Sequence, residues 1–331
     1  FMEPLPLKVT INIEGRDLHI GVWKFNQMGM HGKVPVYFLD TDLPINSADD
    51  RLITQYLYGG DKHTRICQEA VLGIGGYLAL KKLERNITTY HMNEGHAVFL
   101  TLALLQEANG NEERVREQCV FTTHTPVPAG NDMFPLWLID KYFSQIWAEL
   151  GMSRDQFIDL GRQAQPWGET FVMPVLALRL SERANAVSEL HSHVSRQMWN
   201  FMWPDRKEEN VPIGYVTNGV HTRSWLGRRM GMLFDEYMGD DWVEHIDEPD
   251  FWEGVKNIPD AALWNVRRHL KNKLVHFANE RTRQNWQHGV ITPSQTVAGC
   301  VFLEPYSLIV GFARRFATYK RANLMFRDFD R

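Results

Sequence analysis

Apolar and polar side chains alternate over residues 7–14 (Leu7-Lys8-Val9-Thr10-Ile11-Asn12-Ile13-Glu14), the period of a half-buried strand. Residues 17–25 repeat the pattern beyond Gly15-Arg16, which predicts a hairpin turn, and 34–39 form a more continuous apolar strand. These three predict a small sheet. After a polar, turn-rich stretch over 41–60, the pattern changes to helical spacing over 62–83, with Ile66, Ala70, Leu72, Ile74, Tyr77, Leu78 and Leu80 apolar. Gly73, Gly75 and Gly76 interrupt it, either as a phosphate-cradling loop or as small residues that let a helix pack closely.

Short strands are predicted at 86–90 and 120–123, each running into a polar turn that carries histidine (His91 to His96, then His124). Two such turns predict parallel strands whose C-terminal ends share one edge. Residues 133–181 read as mostly helical, over 136–150, 155–160 and 170–180, with Pro166 and Pro174 as interruptions. A strand at 184–187, a helix at 191–201, a strand at 214–216 running into Asn218-Gly219, and a long amphipathic helix at 261–283 follow. Residues 292–299 read as loop. Near the end, Ser307-Leu308-Ile309-Val310 has the composition of a strand and leads into Arg314, Arg315, Lys320 and Arg321. A strand ending in a basic turn before a helix is where α/β proteins place an anion; a solvated basic helix start is the alternative.

Composition narrows the picture. With 331 residues the chain is too long for one ordinary core, and 44% hydrophobic with 23% charged residues is a globular balance. A net charge of −4 argues against nucleic-acid binding driven by overall charge. Cys67, Cys119 and Cys300 are far apart and lack CxxC spacing, so neither a disulfide framework nor a zinc site is expected, and a reducing cytoplasm is. No apolar run has the length of a membrane span, and no signal peptide opens the chain. The abrupt start at Phe1-Met2 and the stop at Arg331 within a helical pattern suggest a segment of something longer. His91, Glu94 and His96 lack HExxH spacing, so no metal is expected there. Eleven tryptophans suit aromatic cores and also carbohydrate-contacting surfaces.

Arg315, three residues, then Tyr319-Lys320-Arg321 resembles the phosphate-binding segment of the α-glucan phosphorylases. Four more segments are similar to that family, in the same order along the chain: Asn93-Glu94-Gly95-His96, with Glu where the family has Asp; Thr122-Thr123-His124-Thr125; Ala184-Asn185-Ala186-Val187, with Ala186 for Gly; and Thr217-Asn218-Gly219-Val220, read as structural. The resemblance implies an α/β fold of two Rossmann-like domains facing a cleft, the GT-B architecture, with both domains incomplete here. Residues 1–183 would be the C-terminal part of the glucan-side domain, and 184–331 the first part of the cofactor and phosphate side. It implies retaining phosphorolysis of α-1,4-glucans to α-glucose 1-phosphate, using inorganic phosphate and pyridoxal phosphate, and is compatible with a homodimer. Arg315, Lys320 and His124 are the implied catalytic residues, the last with its side chain on the sugar's 6-hydroxyl and its backbone carbonyl facing the reacting carbon. Asn93, Glu94, His96, Asn185 and Arg314 are the implied substrate ligands. No residue of this segment is implied to hold the cofactor covalently: a Gly-Thr-Gly/Ser-x-x-Lys pattern would lie beyond residue 331, and the family's N-terminal Gly-rich segment is missing, so inactivity in isolation is expected. A nucleotide-sugar glycosyltransferase and a non-catalytic glucan-binding module are the alternatives.

Overall fold

The computed structural model describes residues 2–29, 32–57, 60–300, 304, 306–314 and 318–328, except the side chains of 298–300. The chain divides into two compact units, 1–218 and 219–331.

The first unit opens with the antiparallel sheet that the alternation predicts: β1 (Glu3–Ile13), β2 (Arg16–Met28) and β3 (Lys33–Asp40), in that order. Gly15 makes the β1–β2 turn at φ 75°, where a residue without Cβ is unstrained. Val9, Ile11 and Ile13 of β1 and Leu18, Ile20 and Val22 of β2 are buried. Burying each such side chain fully contributes about 1.5–3 kcal/mol. Their cover is a helical segment: α1 (Lys62–Ala70), one π-helical turn (Val71–Gly75) and α2 (Gly76–Lys82). Its glycines serve close packing. A Cβ on Gly75 would meet Ile20 Cδ1 at 2.6 Å, and one on Gly73 would meet the Leu100 backbone nitrogen at 2.6 Å. Because backbone cannot step aside, Gly73→Ala is expected to destabilise by about 3 kcal/mol, the upper end of ordinary overpacking. Urea unfolding would measure it.

The element that positions the chemistry is a parallel sheet. It is formed by β4 (Tyr90–Asn93), then, after α3 (Leu100–Glu107) and α4 (Glu112–Arg116), by β5 (Cys119–Thr123). A small antiparallel sheet intervenes in the chain. It comprises β6 (Met133–Pro135), β7 (Arg162–Gln165) and β8 (Gly168–Val172), with α5 (Leu136–Glu149) and α6 (Arg154–Asp159) between β6 and β7. After α7 (Met173–Arg179), β9 (Arg183–Ala186) joins the parallel sheet, and α8 (Glu189–Trp199) leads to β10 (Ile213–Tyr215). The spatial order β4-β5-β9-β10 follows the chain, and all three pairings are parallel. All four C-terminal ends therefore lie on one edge, as the two histidine-bearing turns predict. In the core of this unit, Phe99, Phe121, Phe134, Phe143, Phe157 and Phe171 are fully buried, with the rings of Phe99 and Phe143 4.5 Å apart.

Several expectations shift. The strand placed at 86–90 instead runs Tyr90–Asn93, in register with Cys119–Thr122. The helix expected over 170–180 is half strand: Gly168, at φ 127°, turns the chain out of β7, and Pro174 opens α7 instead of interrupting it. The first compact unit runs to 218, past residue 183. Residue 183 begins a strand hydrogen-bonded to β5, and a strand belongs with the sheet that satisfies its backbone.

The second unit is helical, with α9 (Thr222–Trp225), α10 (Arg228–Met238), α11 (Asp260–Gln287) and α12 (Pro293–Cys300). Its small core holds Met230, Leu233 and Ile258. α12 replaces the loop expected at 292–299. Thr292 caps it by accepting from the Gln295 N–H at 3.3 Å, and the Gln295 side chain accepts from the Thr292 N–H at 2.8 Å. That is a capping box followed by Pro at the first helical position, both legible in Thr292-Pro293-Ser294-Gln295. The strand expected at 307–310 does not form. Residues 308–314 have no regular structure, and Leu308 and Val310 are 88% and 71% exposed. A strand persists only where a neighbour pairs its backbone, and none does so among the described residues.

Candidate functional site

The C-terminal edge of the parallel sheet gathers Asn93, Glu94, His124 and Asn185. Register sets this directly: Asn93 lies opposite Thr122, and Thr122 opposite Asn185. A side-chain relay crosses the three strands. Thr122 Oγ1 donates to Asn185 Oδ1 at 2.9 Å, which leaves its lone pairs for the ring nitrogen Nε2 of His91 at 2.7 Å. His91 Nε2 is therefore the donor in this pair. Asn185 Nδ2 also donates to the Ala186 carbonyl at 3.1 Å, so the amide is oriented with one N–H and one lone pair left for a ligand hydroxyl.

Glu94 connects the turns after β4 and β5. Its Oε2 accepts from the His124 N–H at 2.7 Å and from Thr125 Oγ1 at 2.9 Å. His191, at the start of α8, belongs to the same region. Its Nδ1 accepts from the Val187 N–H at 3.3 Å, and burial pushes its pKa down, favouring the neutral ring.

His96 sits one turn further on, in a charged cluster. Its Nδ1 is 3.0 Å from Asp132 Oδ2 and 3.9 Å from Glu69 Oε1. Arg65 spans both carboxylates, 3.0 Å from Glu69 Oε1 and 2.8 Å from Asp132 Oδ2, and also contacts His96. Burial pushes the Glu69 carboxyl up to about 8. Asp132 is held well below the usual carboxylate range: burial opposes its ionisation, but hydrogen bonds from His96 and Arg65 outweigh it. Hydrogen bonds to Asp132 and then Glu69 raise His96 to about 9. Burial thus favours the protonated form of Glu69, while the hydrogen bonds favour an ionised Asp132 beside a protonated His96. Glu69, His96 and Asp132 each place a donor atom within 4.8 Å of the others, a spacing a metal ion could use. The Arg65 guanidinium already takes the cation's part between the carboxylates.

The sequence reading missed Arg65 and Glu69. One signal was available: Glu69 falls on the apolar stripe of α1 beside Ile66 and Ala70, where a carboxylate needs a partner. Cys67 and Cys119 are buried free thiols, raised by burial to about 11 and 12, and so are poor nucleophiles.

The basic segment belongs to the second unit. Arg314 is exposed, and Lys320, in a short 3-10 turn, lies over the Tyr319 ring at 4.6 Å from its centroid. Neither has a carboxylate partner among the described residues, which leaves both charges available to an anion. Arg315 lies outside the described residues.

These features define an α/β protein whose parallel sheet presents an ordered polar edge, histidine and amide side by side. No protein-family model matches the chain. It is, however, 37% identical over 334 residues to the maltodextrin phosphorylase of Thermococcus litoralis, covering 98% of this chain and 38% of that protein. It is 35% identical over 332 residues to the glycogen phosphorylase of Aquifex aeolicus (98% and 47%), and 40% identical over 320 residues to that of Mycobacterium tuberculosis (91% and 36%). The chain is thus a relative of the maltodextrin and glycogen phosphorylases along nearly its whole length, and spans less than half the length of each of these three.

Proposed function

We propose that this chain contributes the donor-sugar side and the phosphate-binding cations of an α-1,4-glucan phosphorylase. The observation that carries the reading is the similarity over 98% of the chain to a maltodextrin phosphorylase, taken with the sheet edge that gathers His124 and Asn185. On this reading residues 1–183 and 184–331 are parts of the two Rossmann-like domains of a cytoplasmic enzyme. Among the described residues no helix is long and apolar enough to cross a membrane.

In the reaction a phosphate proton passes to the glycosidic oxygen, the bond from C1 to that oxygen breaks, and a phosphate oxygen then bonds C1 on the same face. Positive charge develops at C1 in between. The carbonyl dipole of His124 would stabilise it, and Asn185 would hold a sugar hydroxyl. Arg314, Arg315 and Lys320 would hold the phosphate. Pyridoxal phosphate would supply a second phosphate group beside the first. The residues gathered at the sheet edge include no lysine to bind its aldehyde, so its attachment falls to residues other than these.

The test is phosphorolysis by the intact protein that carries this sequence. Maltodextrin and inorganic phosphate should give glucose 1-phosphate, with pyridoxal phosphate bound. A folded, cofactor-loaded protein that yields none, but transfers glucose from a nucleotide sugar, would replace this reading with a synthase.

A further inference from the structure

We propose that Glu94 is a positioning residue that acts through the main chain of His124 and does not itself touch the sugar. The proposal rests on the phosphorylase reading for what the His124 carbonyl does, but its structural half stands apart from it.

Glu94 has φ 66° and ψ −178°, in the region disfavoured for a residue with a Cβ. Such strain survives only where the surroundings over-determine it, and here they do. The Glu94 N–H donates to the Thr122 carbonyl at 2.9 Å. On its other side, a Cβ on Gly95 would meet Met173 Cβ at 3.0 Å, so the turn is hemmed in. The carboxylate is then delivered to one place. Its Oε2 grips the His124 N–H at 2.7 Å and the Thr125 hydroxyl at 2.9 Å. Those two residues flank the peptide plane that carries the His124 carbonyl, so one oxygen fixes the plane from both ends. The other oxygen, Oε1, is buried with no hydrogen-bond partner, and the same holds for His124 Nε2. A sugar hydroxyl therefore meets neither atom in this conformation. What this corner offers a ligand is an aimed backbone dipole. A misplacement of about 1 Å at such a dipole can cost on the order of 100-fold in rate.

The experiment uses the intact protein and two readouts. Glu94→Ala should lower kcat on the order of 100-fold with KM little changed, and Glu94→Gln, whose amide oxygen can still accept both hydrogen bonds, should restore most of it. Thr125→Val, which removes one grip and keeps the shape, should lower kcat by a smaller factor. Amide hydrogen exchange at His124 should quicken in Glu94→Ala and not in Glu94→Gln. A Glu94→Ala enzyme with normal kcat, or with raised KM alone, would overturn the proposal and return Glu94 to sugar binding. So would unchanged His124 exchange in that variant. If Glu94→Ala does not fold, a Thr125→Val enzyme with wild-type kcat overturns it instead. A wild-type protein that makes no glucose 1-phosphate defeats the phosphorylase reading, while the exchange measurement still decides whether the clamp exists.

Discussion

Arg315→Ala and Lys320→Ala should each reduce glucose 1-phosphate formation by roughly 100- to 1000-fold, chiefly in kcat, with circular dichroism unchanged. The magnitude is that of removing one preorganised charge partner from a developing transition state. The physical demand is severe, because the proposed reaction brings two phosphate groups together and their repulsion grows as the site excludes water. Fixed cations are the remedy a protein can supply. Arg315 offers a planar fork to phosphate oxygens and Lys320 a compact point charge, so exchanging Arg315 for Lys should not restore full activity. Arg314, exposed and bonded by its Nη1 to its neighbour Ala313 at 3.1 Å, should matter less. A steady-state assay over a range of phosphate concentrations separates the cases. A rise in KM for phosphate alone would place these residues in ground-state binding, and no change in either constant would remove them from the site.

What could be read without coordinates had a common physical basis. The β1–β2–β3 sheet and the shared edge of β4 and β5 were legible because period-two alternation and strand-end turns are local signals. The pairing that brings Thr122 against Asn185 was not, since register between strands 63 residues apart is set by packing of the whole unit. The strand expected at 307–310 shows the reverse failure. Its composition is right, but sheet structure requires a neighbour, and composition cannot supply one. Residues 293–300 were misjudged although their capping box stood in the sequence. The charged cluster was hidden for a third reason: Arg65 and Glu69 come from α1, His96 from the turn after β4, and Asp132 from the approach to β6. Only the folded chain makes them neighbours.

The edge and the cluster are linked through one short turn. Glu94 faces the His124 corner and His96, two residues on, faces Asp132, so the cluster anchors the far side of the turn that the clamp uses. Its side chains thereby bear on function without reaching the sheet edge.

Asp132→Ala should accordingly destabilise the first unit strongly while leaving its apolar core intact. At neutral pH Asp132 is the ionised carboxylate between Arg65 and a protonated His96, while burial favours the protonated form of Glu69. Removing it leaves two cations in contact. Breaking a buried charge pair costs about 3–5 kcal/mol, and the lower end applies here because water can partly screen the site. The variant should lose about 3 kcal/mol in urea unfolding, and the pKa of His96, followed by NMR, should fall from about 9 toward its ordinary value. The pH dependence follows in sign. His96 is raised, so its stabilising contribution is complete below its unfolded pKa near 6.5 and is lost as pH rises through about 9. Glu69 is raised too, from 4.5 to about 8, so it also favours the folded state less as pH rises. Asp132 is lowered and works the other way, losing its contribution only as pH falls below 3.8. Wild-type stability should therefore decline from about pH 4.5 through Glu69, and from about 6.5 through His96 as well, toward pH 9. Asp132→Ala should flatten the His96 part of that decline. Equal urea midpoints for the wild type at pH 6 and 9 would show that the cluster does not carry the charges assigned to it.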